Sequence, residues 1–137
     1  MLIGLNIIGM VGFKLSNDNY ATDYRILQLF DNWFDPCPLN PNPSFDGLNI
    51  EWKDKTYVNP PYSKPEVWID KAIEENNKNK LIVMLLRMDT STKWFKKLQE
   101  ANAIFLWING RLRFNNKSPA NFPSMLVILN KKEKKKN

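Results

Sequence analysis

Histidine is absent from the chain and cysteine occurs once, at Cys37. Without histidine there is no Ser-His-Asp or Cys-His nucleophile, and one thiol builds neither a disulfide framework nor a zinc site. No cluster of carboxylates proposes a metal site either, so no metal ligand is expected. The one long apolar stretch at the start, Met1–Phe13, is too short to span a bilayer. It also lacks the basic region and cleavage site of a signal peptide. The reading is an extra strand or apolar arm on the body, with a self-association surface or a poorly ordered end as alternatives. No membrane partner is expected, and the compartment implied is the reducing cytoplasm.

What is present describes one globular domain. The 137 residues are 43% hydrophobic and 12% aromatic, enough for a modest core. The net charge is +6, but residues 131–137 hold five lysines against one glutamate. Such a run is usually a solvated, disordered tail. Without it the body carries only about +2, so bulk charge does not by itself argue for a nucleic-acid partner. Residues 1–130 are expected to form a single domain, with residues 1–15 as the arm.

The stretch with chemical content is Asn59-Pro60-Pro61-Tyr62. It follows the β-branched and aromatic run Thr56–Val58 and precedes a helix start, which places it at a strand-to-helix turn. Two prolines stiffen the backbone and leave carbonyl acceptors without a donor of their own, and Asn59 is pushed extended by the proline after it. The Asn59 side-chain oxygen and the Pro60 carbonyl can accept hydrogen bonds from an amino group. The Tyr62 ring can stack on the planar ring that bears it, a contact of about 1–3 kcal/mol per base. The bland alternative is a proline-stiffened loop with a packed tyrosine.

Taken in order, Ser16–Asn19 is a polar break and Thr22 caps a helix over about residues 23–32, with Ile26, Leu27 and Phe30 inward. Trp33-Phe34 reads as a short buried strand ending at Asp35. A Pro/Asn/Ser/Gly-rich loop runs to Asn49, and Trp52 packs back on the core. Ser63-Lys64-Pro65-Glu66 has the form of a capping box ahead of a helix with Val67, Trp68, Ile69, Ala72 and Ile73 inward. Leu81–Leu86 is an unbroken apolar run, as in a strand buried on both faces. Asp89-Thr90-Ser91 opens a helix with Trp94, Phe95 and Leu98 inward. Strands follow at Ala103–Ile108 and Met125–Leu129, with a turn at Asn109-Gly110 and Arg111–Phe114 running outward. Strands that alternate with helices, ending in two strands with no helix between them, give an α/β fold with a mostly parallel sheet and an antiparallel C-terminal strand pair.

The order of motifs resembles the phage-type DNA N6-adenine methyltransferase (Dam) family. The matching pieces are Tyr20-Ala21-Thr22, Phe34-Asp35-Pro36-Cys37, Asp46-Gly47-Leu48 with Trp52, and Val58 through Ser63. They continue with Trp68, Lys71-Ala72, Leu85-Leu86, Asp89-Thr90, Trp94-Phe95, Gly110-Arg111-Leu112 with Phe114, and Phe122-Pro123-Ser124. The resemblance implies a compact Rossmann-like methyltransferase fold lacking two of the usual strands, with strand order 1-4-5-7-6 in that family's naming. It implies site-specific methylation of adenine N6 in DNA with S-adenosylmethionine (AdoMet) as cofactor, and a phage or other viral origin, hence the host-cell cytoplasm.

Carried onto this chain, Asn59, Pro60, Pro61 and Tyr62 hold the flipped adenine. Asp35, Pro36 and Cys37 fall where the cofactor motif begins, and Asp46 contacts the cofactor or positions substrate. Arg111, Arg113 and Ser63 contact DNA. On the residues alone, Asp35 and Asp46 are equally turn residues, Arg111 and Arg113 equally surface charges, and Cys37 a small buried filler. The chain departs from the family in having no glycine in Asp35–Asn40, and Arg87 and Asp23 where proline is usual. From Asp35 to Asn59 there are only 24 positions, too few for two further strand-helix units. Alternative functions are a non-catalytic DNA-binding or interaction protein that keeps the fold, or a glutamine-N5 methyltransferase acting on protein.

Overall fold

The computed structural model describes residues 23–38, 45–113 and 122–130. The apolar arm, Thr22, Phe114 and the lysine tail lie outside the described residues.

The first described helix, α1, spans Tyr24–Leu29. Its N-cap is Asp23, whose carboxylate accepts the Arg25 N–H, so the cap falls one residue later than the Thr22 expected. Strand β1 is Lys55–Val58, helix α2 Glu66–Asn76, strand β2 Leu81–Arg87 and helix α3 Lys93–Glu100. Strands β3 (Ile104–Trp107) and β4 (Ser124–Leu129) close the described chain. Asn32, Asn79 and Asn102 follow α1, α2 and α3 with φ of 70°, 68° and 60°. Asparagine tolerates this left-handed region, which stops a helix and redirects the chain.

Other details differ from the sequence expectation for physical reasons. The N-cap of α2 is Pro65, with no side-chain hydrogen bond, so Ser63–Glu66 does not form a capping box. Val67 is exposed, as is Leu27 on α1, because each helix turns only a narrow stripe inward. Helix α3 is capped by Thr92, which accepts the Phe95 N–H, while Asp89 turns back on the Ser91 N–H ahead of it. Trp33-Phe34 is not a full strand: Phe34 alone bridges Thr56, in parallel.

The sheet order is β1-β2-β4-β3. With the Phe34 bridge outside β1, this is the 1-4-5-7-6 order expected. The expectation of a mostly parallel sheet needs correction. Only β4 runs against the others, but it sits between β2 and β3, so two ladders are antiparallel and only β1·β2 is parallel. The result is a mixed, open α/β sheet.

Both faces are covered, which accounts for the unbroken apolar run of β2. On one face Val58, Ile82, Met84, Leu86, Met125 and Val127 meet Ile69 and Ala72 of α2 and Trp94, Phe95 and Leu98 of α3. On the other, Tyr57, Val83, Leu85, Leu126 and Ile128 meet Ile26 and Phe30 of α1. The Phe30 and Tyr57 rings stack at 4.6 Å.

At the N-terminal end of the β1·β2 pair lies a buried ionic cluster. Glu75, fully buried, accepts from Lys80 at 2.9 Å, pairs with Lys78 at 2.9 Å and takes the Trp52 backbone N–H. Next to it Asn76 donates to the carbonyls of Lys80 and Asn130, tying α2 to the start of β2 and the end of β4. Burial pushes the Glu75 carboxyl up, but the bonds from Lys80, Lys78 and Trp52 and the charge of Lys71 outweigh it and leave the pKa at about 2.

Because that value lies below the carboxyl's ordinary 4.5, the group's stabilising contribution is complete above the unfolded pKa. It is lost as pH falls through the range from about 4.5 to about 2. Glu75→Ala leaves the buried Lys80 with only the exposed Glu51 carboxylate as a partner, at 3.1 Å, and is expected to cost about 3 kcal/mol in urea unfolding. The variant should also lose part of the acid-induced fall in stability that wild type shows over this pH range.

Candidate active site

The parallel strand β1 ends at Val58, beside Met84 of β2, so Asn59 and Pro60 emerge alongside Leu85 and Leu86. This is the carboxyl edge of the sheet, where open α/β folds bind ligands. The reversed strand β4 starts at the same edge, with Ser124 opposite Arg87 and the Pro123 carbonyl accepting the Met88 N–H. Strand β3 ends there too, as the Ile108 N–H donates to the Ser124 carbonyl. The fold thus gathers three separate sequence motifs: Asn59–Tyr62, Phe122–Ser124 and Gly110–Leu112.

A cavity of about 110 Å³ opens at this edge, lined by Pro60, Tyr62, Pro65, Leu85, Leu86, Arg87 and Trp94. Pro60 is buried, Asn59 is half-buried with its side-chain oxygen inside, and Pro61 and Ser63 are exposed. The Tyr62 ring meets Phe122 edge-on, with centroids 4.9 Å apart. Tyr62 as a residue is 46% exposed, yet burial pushes its phenol to about 12, so it is neutral across the physiological range. It offers an aromatic face and a hydroxyl, not a base.

The candidate cofactor residues form a second group at the same edge. Phe34 sits beside β1, with its N–H on the Lys55 carbonyl and its own carbonyl taking the Tyr57 N–H, so Asp35 leaves at the same end as Asn59. Gly47 lies so close to Pro36 that an added Cβ would fall 1.8 Å from the Pro36 carbonyl oxygen. That contact joins Asp35–Cys37 to Asp46–Leu48, and the Trp52 indole N–H holds it by donating to the Gly47 carbonyl at 2.7 Å.

Asp35 is solvent-exposed and accepts the Cys37 N–H at 2.9 Å, while the protein packed around it raises its pKa. Burial and the Asp35 charge push the Cys37 thiol to about 11, which keeps it protonated and excludes it as a nucleophile. Asp46 behaves as a turn residue: its carboxylate takes the Leu48 N–H at 3.0 Å and the Asn49 side-chain amide.

Arg111 and Arg113 are both exposed beyond β3 on this edge, either side of buried Leu112. Gly110 turns the chain there with φ of 82°. The Arg113 backbone N–H donates to Asp23, which is fully buried and also grips Arg25 through its guanidinium. Three residues that the fold brings to the cavity carry no site role on the sequence: Arg87, Pro65, expected only in a helix start, and Trp94, expected only in the core. The signal for Arg87 was its departure from the usual proline. Among the described residues no group of three or more His, Cys, Asp or Glu side chains is placed to hold a metal, and no helix is long and apolar enough to cross a membrane.

The profile of the family described as DNA N-6-adenine-methyltransferase (Dam) matches residues 37–137. The chain belongs to that family. It is 30% identical over 142 aligned positions to the DNA N-6-adenine-methyltransferase of Haemophilus phage HP1, covering 87% of this chain and 82% of that protein. Over 56 positions it is 43% identical to the protein of the same name from Escherichia phage T1, covering 41% of this chain and 24% of that one. No solved structure matches the chain significantly. At the level of the family the chain is an enzyme, a DNA adenine-N6 methyltransferase.

Gly47→Ala is expected to force apart the Pro36 and Gly47 segments, at a cost of about 1–3 kcal/mol. Amide hydrogen exchange should show the loss concentrated at Cys37 and Leu48, with the β2·β4 ladder unchanged.

Proposed function

We propose that the chain transfers a methyl group from AdoMet to N6 of an adenine extruded from DNA, on a compact Rossmann-like methyltransferase fold. The observation that carries this reading is that Pro60 and Tyr62 line one cavity at the carboxyl edge, with Asn59 next to Pro60 in the chain and Phe122 edge-on to the Tyr62 ring. Family membership supplies the substrate class.

In this reading the Asn59 side-chain oxygen and the Pro60 carbonyl accept the two N–H bonds of the amino group. That draws the nitrogen lone pair out of conjugation and makes it nucleophilic. Tyr62 stacks on the base, with Phe122 bracing the ring from its edge. The apolar walls from Leu85, Leu86 and Trp94 exclude water, and Pro61 keeps the turn stiff. Proximity and orientation do most of the catalysis, without a covalent enzyme intermediate. Extruding the base costs a few kcal/mol, which the binding contacts must offset.

The cofactor segment fits a cationic ligand. Asp35 presents a solvent-exposed carboxylate beside the Pro36 carbonyl, on a loop locked by Gly47 and Trp52. Asp35, Pro36 and Cys37 would hold the methionine end of AdoMet, with Asp46 shaping the neighbouring turn. When bound, AdoMet supplies an activated methyl group from its sulfonium. Ser63, Arg111 and Arg113, exposed at the rim, would contact the DNA backbone and position it without reading sequence.

Calorimetric titration with AdoMet should give micromolar binding, and unmethylated DNA should take up radiolabelled methyl groups at adenine N6. Asn59→Ala should abolish transfer while circular dichroism and melting stay close to wild type. Full activity in that variant would remove Asn59 from the proposed role. Absence of AdoMet binding by folded protein would overturn the catalytic reading.

A further inference from the structure

Arg87 closes strand β2 beside the cavity and is the only cation among the described residues that line it. Its guanidinium lies over the Phe122 ring, 5.9 Å from the centroid, and that ring is the one Tyr62 meets edge-on. One guanidinium nitrogen is held by Asp89 at 3.2 Å. Asp89 is fixed in turn by the Ser91 backbone N–H at 3.1 Å and by the Ser91 hydroxyl. The Arg87 side chain remains 50% exposed. A guanidinium has five N–H donors in a rigid plane, so a side chain braced at one nitrogen and on one face still presents a fork outward.

We propose that Arg87 binds a backbone phosphate of the nucleotide that carries the target base. This rests on the DNA reading above. A base turned out of the stack brings its own phosphates to the pocket rim. The guanidinium has no acceptor for the amino group that Asn59 and Pro60 serve, so a rim cation fits the anionic backbone. Planar bidentate contact with phosphate is the geometry arginine favours, and the Phe122 and Asp89 contacts pre-set its orientation. Arg87 thereby sets the depth at which the nucleotide enters the cavity.

The test is fluorescence anisotropy with a labelled duplex oligonucleotide carrying a mismatched adenine, titrated over a series of salt concentrations. Arg87→Gln should lower the slope of log affinity against log salt by about 1. Arg87→Lys should retain that slope, because the charge stays. Lys96→Gln removes an equal charge from the outer surface of α3 and should leave the slope at the wild-type value. An unchanged slope in Arg87→Gln, or an equal fall in Lys96→Gln, overturns the assignment and leaves the methyltransferase reading standing. Failure of wild-type protein to bind the duplex at low salt would overturn the DNA reading and this inference with it. Melting curves of Arg87→Gln, at an exposed strand end, should match wild type.

Discussion

A buried carboxylate organises the molecule from the end opposite its chemistry. Glu75 accepts from Lys80 and from the Trp52 backbone, and pairs with Lys78. An unpaired charge in that position would be prohibitively costly, so its partners are drawn into one geometry. Lys80 then leads into β2, Asn76 ties the approach to β2 to the end of β4, and Trp52 is fixed as the chain nears β1. The polar lock keeps the N-terminal end of the β1·β2 pair rigid, and the opposite edge can carry loops, exposed carboxylates and half-buried aromatics.

The lock also reaches the candidate cofactor segment. Trp52 receives its backbone restraint from Glu75 and passes it on through the indole N–H to Gly47, which sits hard against Pro36. The other half of the site depends on topology instead. Because β4 is reversed and lies between β2 and β3, its first residue meets the last residue of β2. Phe122 therefore arrives beside Tyr62 although sixty positions separate them in the chain.

Much of this was legible in the sequence. The unbroken apolar run at Leu81–Leu86 marked a strand covered on both faces, and the Asn-Pro-Pro-Tyr turn, expected after a strand, does leave β1 at the carboxyl edge of the sheet. The strand order followed from the family resemblance. Other features were not legible because they depend on tertiary geometry. Glu75 looks like any solvated residue of an amphipathic helix until Lys80 and Trp52 close over it. Ser63–Glu66 has a capping-box pattern, yet the helix starts at Pro65's shoulder without that bond. Asp46 as a turn residue was an open alternative, and its contacts with Leu48 and Asn49 bear that out. Arg87 drew notice only as an oddity, since its neighbours Phe122 and Tyr62 come from distant segments.

The position of β4 bears on how the protein is made. It is the last of the described strands to leave the ribosome, yet it is paired on both sides, with β2 and with β3. Until residues 124–129 emerge, β2 lacks its second partner and β3 has no ladder at all. The nascent chain must carry this apolar strand with one edge open while residues 88–129 are made. Such long-range closure slows folding and prolongs exposure to mispairing. Completion of this sheet therefore waits for residues 124–129, and cotranslational chaperone protection has the most to offer at β2.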